Sequence, residues 1–236
     1  MKLKITLKFV ITFLALTFVM HEAHEIVHTT VGRIICGCWG ERDFNVWGLC
    51  DSCDNNPLKL VSTFGGPLFT LIMIWFGYYF LGETKTNHQK SFGFALIFAN
   101  MPFARVLNPM VGGGDEVMVL MHFLDNYEMS RIIIFSLITL IIFIPLRKCF
   151  LTIENDKRLG WFCLFLFAPV ALDLVIVLGI MNTLLNKGVL AEYWILGSPV
   201  LVTLWTLLVV IVFLSTQKNI YTLGKSKTAI NQKTNI

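Results

Sequence analysis

Long apolar runs, broken by short polar punctuation, organise this chain. Runs of about 20 apolar residues match the thickness of a bilayer's hydrocarbon core. Six such spans are predicted, over residues 9–29, 60–82, 92–110, 130–147, 160–184 and 194–215. Between them stand turn and charge clusters such as Gly82-Glu83-Thr84-Lys85 and Glu154-Asn155-Asp156-Lys157-Arg158. The longest polar stretch, 33–59, is too short to enclose a second core. The pattern therefore predicts an all-α polytopic membrane protein. Three spans occupy residues 1–125, three further helices fill 126–216, and a polar tail covers 217–236. Lys2, Lys4 and Lys8 ahead of the apolar run Phe9–Met20 resemble the start of a signal peptide, but no small-x-small cleavage site follows, so an uncleaved first helix is expected.

Composition agrees with the pattern. The chain is 56% hydrophobic and only 14% charged, whereas a soluble domain averages about 45–50% and about 25%. Disorder, collagen-like repeats and a secreted disulfide miniprotein are excluded. The net charge of +4 points to basic loops at a lipid bilayer, not to nucleic acid. With a cytoplasmic N-terminus, the inner segments carry Lys2, Lys4, Lys8, Lys85, Lys90, Arg147, Lys148, Lys157, Arg158 and the tail lysines. The outer loops then hold only Arg33, Arg42, Lys59, Arg131 and Lys187. That bias favours both termini inside.

The chemistry gathers at the end of the first span, in His24-Glu25-Ile26-Val27-His28. Two histidines at i and i+4 leave one helix face and can bind one metal ion, and the glutamate between them can act as general base. Ionisable groups at membrane depth persist only where a bundle interior, a water-filled cavity or a metal offsets their cost. His21, Glu22, His24, Glu25 and His28 crowd one short segment. A hydrolytic zinc site is the leading reading; a helix leaving the membrane near Met20, or another His-ligand role, are the alternatives. Ile34 stands where a metzincin would place its third histidine, so the third ligand is sought among distant acids. Three glycines, Gly112 to Gly114, precede Asp115 and permit the backbone angles that carry a carboxylate into a site. Asp115 and the histidines also share one membrane face by topology. Glu116 and Asp173 are alternative ligands, although Asp173 reads better as an internally hydrogen-bonded or Arg105-paired acid.

An H-E-x-x-H on a membrane helix, Gly65-Gly66-Pro67 in the next span, and Asn108-Pro109 with Asp115 resemble the site-2 protease family of intramembrane zinc metalloproteases. The resemblance covers roughly residues 9–125. It implies Zn2+ held by His24, His28 and Asp115, with Glu25 activating the water, and a membrane-spanning or membrane-proximal peptide as substrate. It also implies zinc nearer the cytosol, whereas the charge count places the site toward the outside. Asn108, or alternatively Asn100 with Pro102, is available to stabilise an oxyanion. The family's aspartate is normally followed by Gly; here Glu116 follows. A non-enzymatic metal-binding or transport protein using the same cluster is the main rival. A di-iron hydroxylase would need about eight histidines by resemblance to that family, and five are present.

Four cysteines fall in the first loop, as Cys36-x-Cys38 and Cys50-x-x-Cys53. An extracytoplasmic loop would pair them as two disulfides; a cytoplasmic one would use four thiolates for a structural zinc. In the same loop Arg33-Ile34-Ile35 and Phe44-Asn45-Val46-Trp47 read as the arms of a short β-hairpin, and Trp39 and Trp47 suit a membrane interface. His122 reads as packed or interfacial, and His88 as solvated.

Overall fold

The computed structural model describes residues 1–225 and is essentially all-α. A 30-residue helix, α1 (Leu7–Cys36), forms the axis of the bundle. Thr6 caps its start by accepting from the Phe9 amide, and the chain turns away at Gly37. Next come α2 (Lys59–Phe80), α3 (Asn87–Ala99), α4 (Pro102–Met110), α5 (Asp115–Leu124) and α6 (Tyr127–Thr152). A continuous rod follows over Arg158–Asn186: α7 (Arg158–Asp173), a π-helical stretch Leu174–Met181 and a last turn α8 (Asn182–Asn186). The final long helix is α9 (Val200–Thr216).

Five of these helices are long and apolar enough to cross a membrane, consistent with a membrane protein. The expected third span is broken. Asn100 ends α3, Met101 adopts a left-handed backbone (φ 47°), and Pro102 opens α4. Proline disfavours the α region for the residue before it, which is why an unbroken apolar run does not give an unbroken helix. A sixth crossing arises only if Asn87–Met110 and α5, bent by 41°, count as one span.

The hairpin expectation is corrected as well. Arg33-Ile34-Ile35 belong to α1, because no residue before Gly37 stops the helix and the Gly37 amide caps the Arg33 carbonyl. The other arm survives as one antiparallel bridge, Arg42 to Trp47. The tail is ordered through a 3-10 turn, Gln217–Thr222, and a strand pair joins Leu3 to Gly224; residues 226–236 of the expected tail lie outside the described residues. The four loop cysteines form nested disulfides, Cys36–Cys53 and Cys38–Cys50, with Cα atoms 5.1 and 6.1 Å apart, a normal separation for such bonds.

α1 packs against α2, α3 and α9. Below the ionisable segment the core is aromatic: Phe9, Phe13, Phe94, Phe98 and Phe165 interlock through stacked, edge-on and tilted rings. That packing seats α1 against α3 and α7 and fixes the rotation at which His24 and His28 face α2 and α5.

Candidate metal centre

One helical turn separates His24 from His28, and both imidazoles are buried. Their Nε2 atoms lie 3.2 Å apart. Asp115 Oδ2 lies 3.8 Å from His24 Nε2 and 3.5 Å from His28 Nε2. Donor atoms bound at about 2.0–2.2 Å around a common tetrahedral ion stand roughly 3.3–3.6 Å from each other. His24, His28 and Asp115 therefore form a group that can hold a metal ion.

The far side of each ring is anchored by α2. His28 Nδ1 donates to the Ser62 carbonyl at 2.7 Å, and His24 Nδ1 lies 2.9 Å from the Thr70 hydroxyl. A carbonyl only accepts, so His28 carries its proton on Nδ1 and presents a lone pair at Nε2. Outer hydrogen bonds of this kind set the tautomer and angle of metal-ligating histidines. Between the two anchors lies Gly66, whose backbone approaches so closely that a Cβ there would collide with His28 Nε2 and lie 2.8 Å from His24 Cε1. Ser62, Gly66 and Thr70 repeat every four residues and so share one face of α2. That spacing was the available sequence signal for these partners.

Asp115 arrives from the other side. It is the first residue of α5, and Gly112 and Gly114 hold φ values of 91° and 107° that side-chain-bearing residues rarely adopt. The start of α6 secures the turn: Arg131 donates to the carbonyls of Pro109 (2.9 Å) and Met110 (2.6 Å), and Tyr127 Oη donates to that of Gly112 at 2.7 Å. Carbonyls orphaned at the end of α4 are thereby satisfied.

The group opens onto a cavity of about 450 Å³. Glu25 lines it, and among the described residues its buried Oε2 has no hydrogen-bond partner. Asn108, half-buried on α4, lines it too, as does Asn100. Asn100 Nδ2 donates to the Leu96 carbonyl at 2.8 Å, and its buried Oδ1 has no partner among the described residues. The alternative ligands go elsewhere. Glu116 faces Arg105 at 3.8 Å, and Asp173 accepts from His21 at 2.7 Å, not from Arg105. His122 is exposed on α5, in ring contact with Phe123, and His88 is exposed against Tyr221.

Sequence reasoning misses one partner. Trp47, expected only to suit a membrane interface, stacks its ring on His28 with centroids 4.4 Å apart and planes 8° from parallel. Contacts between residues so far apart in the chain leave no periodic trace.

Fold and site together describe a helical protein of membrane-spanning composition with a His-His-Asp group able to hold a metal ion. Compared with protein-family models, curated proteins and solved structures, the chain matches none.

Proposed function

We propose that the chain is an intramembrane zinc metallopeptidase that hydrolyses a peptide bond of a membrane-spanning or membrane-proximal substrate. His24, His28 and Asp115 are its ligands and Glu25 its general base. One observation carries the reading: both imidazoles of an H-E-x-x-H turn meet a carboxylate from a separate helix, while the glutamate between them keeps an unpartnered oxygen in the same cavity. The ligand atoms of His24, His28 and Asp115 suit a small divalent ion, since two imidazole nitrogens and a carboxylate oxygen converge to within 3.2–3.8 Å of one another.

When bound, zinc supplies Lewis acidity for the substrate carbonyl and lowers the pKa of water toward about 7. The protein's own residues do the rest. Glu25 Oε2 accepts a proton from the attacking water and returns it to the departing amine. The Asn108 side chain is placed on the cavity wall, where its amide can donate to the developing oxyanion. Thr70 and the Ser62 carbonyl hold the rings still, so orientation is set before substrate arrives. The carboxylate and amide groups among the cavity's lining residues give water a foothold that the surrounding hydrocarbon would not.

Replacing Glu25→Gln tests this. Purified in detergent, the variant is expected to retain one equivalent of zinc and to lose peptide hydrolysis by at least about 100-fold. Unchanged hydrolysis refutes the base assignment. Zinc flux into proteoliposomes that survives Glu25→Gln, with no hydrolysis by the parent, would make the protein a transporter instead.

A further inference from the structure

A second cluster of buried charge lies beside the metal group, and the chemistry above does not use it. Glu22 on α1 and Arg42 in the loop after α1 are 1% and 4% exposed. Arg42 donates from Nη1 to Glu22 Oε2 at 2.9 Å and from Nε to Ser198 Oγ at 3.1 Å. Thr206 on α9 donates to the same Glu22 oxygen at 2.7 Å. The Arg42 amide also donates to the Gly197 carbonyl at 2.8 Å. One side chain therefore ties the loop to α1 and to the segment entering α9.

Burying an ion pair is costly, and apolar side chains of similar volume commonly hold a structure as well or better. A directional pair specifies position in a way that apolar packing does not. Here position matters at two contacts a few residues on. Trp47, bridged to Arg42, covers His28 and leaves that ring fully buried. The Phe44 carbonyl lies 3.1 Å from His21 Nε2, opposite the Asp173 carboxylate on Nδ1.

We propose that the Glu22–Arg42 pair is a positioning device for the metal centre: it fixes the loop so that Trp47 seals His28 and the Phe44 carbonyl orients His21. The inference rests on the metal-centre reading, and its test separates the two. The full chain, disulfides intact, is labelled with 5-fluorotryptophan, and the Trp47 resonance is assigned by its loss in Trp47→Phe. The decisive variant is Glu22→Leu/Arg42→Met, which removes both charges and leaves no unpaired buried ion; Arg42→Lys is the conservative comparison.

In the double variant the Trp47 resonance is expected to move to a solvent-exposed shift, and Co2+ affinity to fall about 10- to 100-fold, the usual effect of losing an outer-sphere support. The visible spectrum of bound Co2+ should change with it. Arg42→Lys, which keeps the charge, should recover part of both signals. A double variant with the parental Trp47 resonance overturns the inference. So does one that keeps the parental Co2+ affinity and spectrum, because the pair would then be structural only. Failure of the unmodified protein to bind Co2+ overturns the metal-centre reading instead, and the Trp47 resonance still decides the loop geometry.

Discussion

Gly66→Ala is the sharpest probe of the metal centre, because one methyl group enters the space between the two ligand rings. The added Cβ would collide with His28 Nε2, lie 2.6 Å from His28 Cδ2 and lie 2.8 Å from His24 Cε1. Ordinary carbon contacts begin at about 3.5 Å, so the rings must retreat by at least about 0.7–0.9 Å, and the His28 ring by more. They have little room to do so, since Ser62 and Thr70 hold their outer nitrogens at 2.7 and 2.9 Å. Metal–ligand distances tolerate only about 0.2 Å of error. Overpacking of this kind costs about 1–3 kcal/mol, and at the upper end that alone is about 100-fold in an equilibrium constant. Co2+ or Zn2+ affinity, measured by calorimetry on the detergent-solubilised protein, should therefore fall about 100-fold or more. Gly65→Ala supplies the control, because its Cβ would first meet the Val27 and Val31 side chains at 3.3 and 3.4 Å and the Val27 carbonyl at 3.7 Å, and it should leave affinity within about threefold. Gly66→Ala that binds metal within threefold of the parent would refute the convergence of the two rings on one ion.

Thr70→Val keeps the volume and removes the hydroxyl beside His24 Nδ1. Metal affinity should drop about tenfold, and an unchanged calorimetric Kd would mean that Thr70 does not orient the ring. Stripping metal with 1,10-phenanthroline should lower the melting temperature by several degrees, since an ion at 100 times its Kd contributes about 2.7 kcal/mol. Asp115→Asn should make the melting temperature much less responsive to the chelator; an undiminished response would remove Asp115 from the ligand set.

Much of the helical architecture is legible because membrane-depth helices announce themselves locally, through unbroken apolar length. The two failures are also local in origin. Hydropathy runs on through residues 92–110, whereas the backbone breaks at Met101 in response to Pro102, whose effect on its neighbour was a readable signal. Ile34-Ile35 reads as strand by β-branching, but a helix already under way continues until something stops it, and here that is Gly37. His24 and His28 pair because they are one helical turn apart, and Asp115 joins them as the topology and its glycine-rich elbow suggest. The supports around them are different. Trp47 on His28, Arg42 on Glu22 and Asp173 on His21 join residues 19, 20 and 152 positions apart, and only tertiary packing brings them together.

Depth in the membrane connects these features. At 1.5 Å per residue α1 is about 45 Å long, well beyond a hydrocarbon core of about 30 Å. His24 lies about 25 Å along it from Leu7, so a helix that enters near its lysine-flanked start brings the ligands close to the opposite surface. In such a placement the last two turns would emerge on that side, where Cys36 and Cys38 are tied to Cys53 and Cys50. Disulfides persist in oxidising compartments, and lysine-rich ends stay in the cytoplasm, and both rules favour an outward-facing metal centre. That is the reverse of the orientation implied by the family resemblance, and under the proposed peptidase function a substrate would be cut near its external end. In intact cells, a membrane-impermeant maleimide applied after mild reduction should label Cys38 and Cys50; labelling only after permeabilisation would place the loop, and the metal centre beneath it, on the cytoplasmic side.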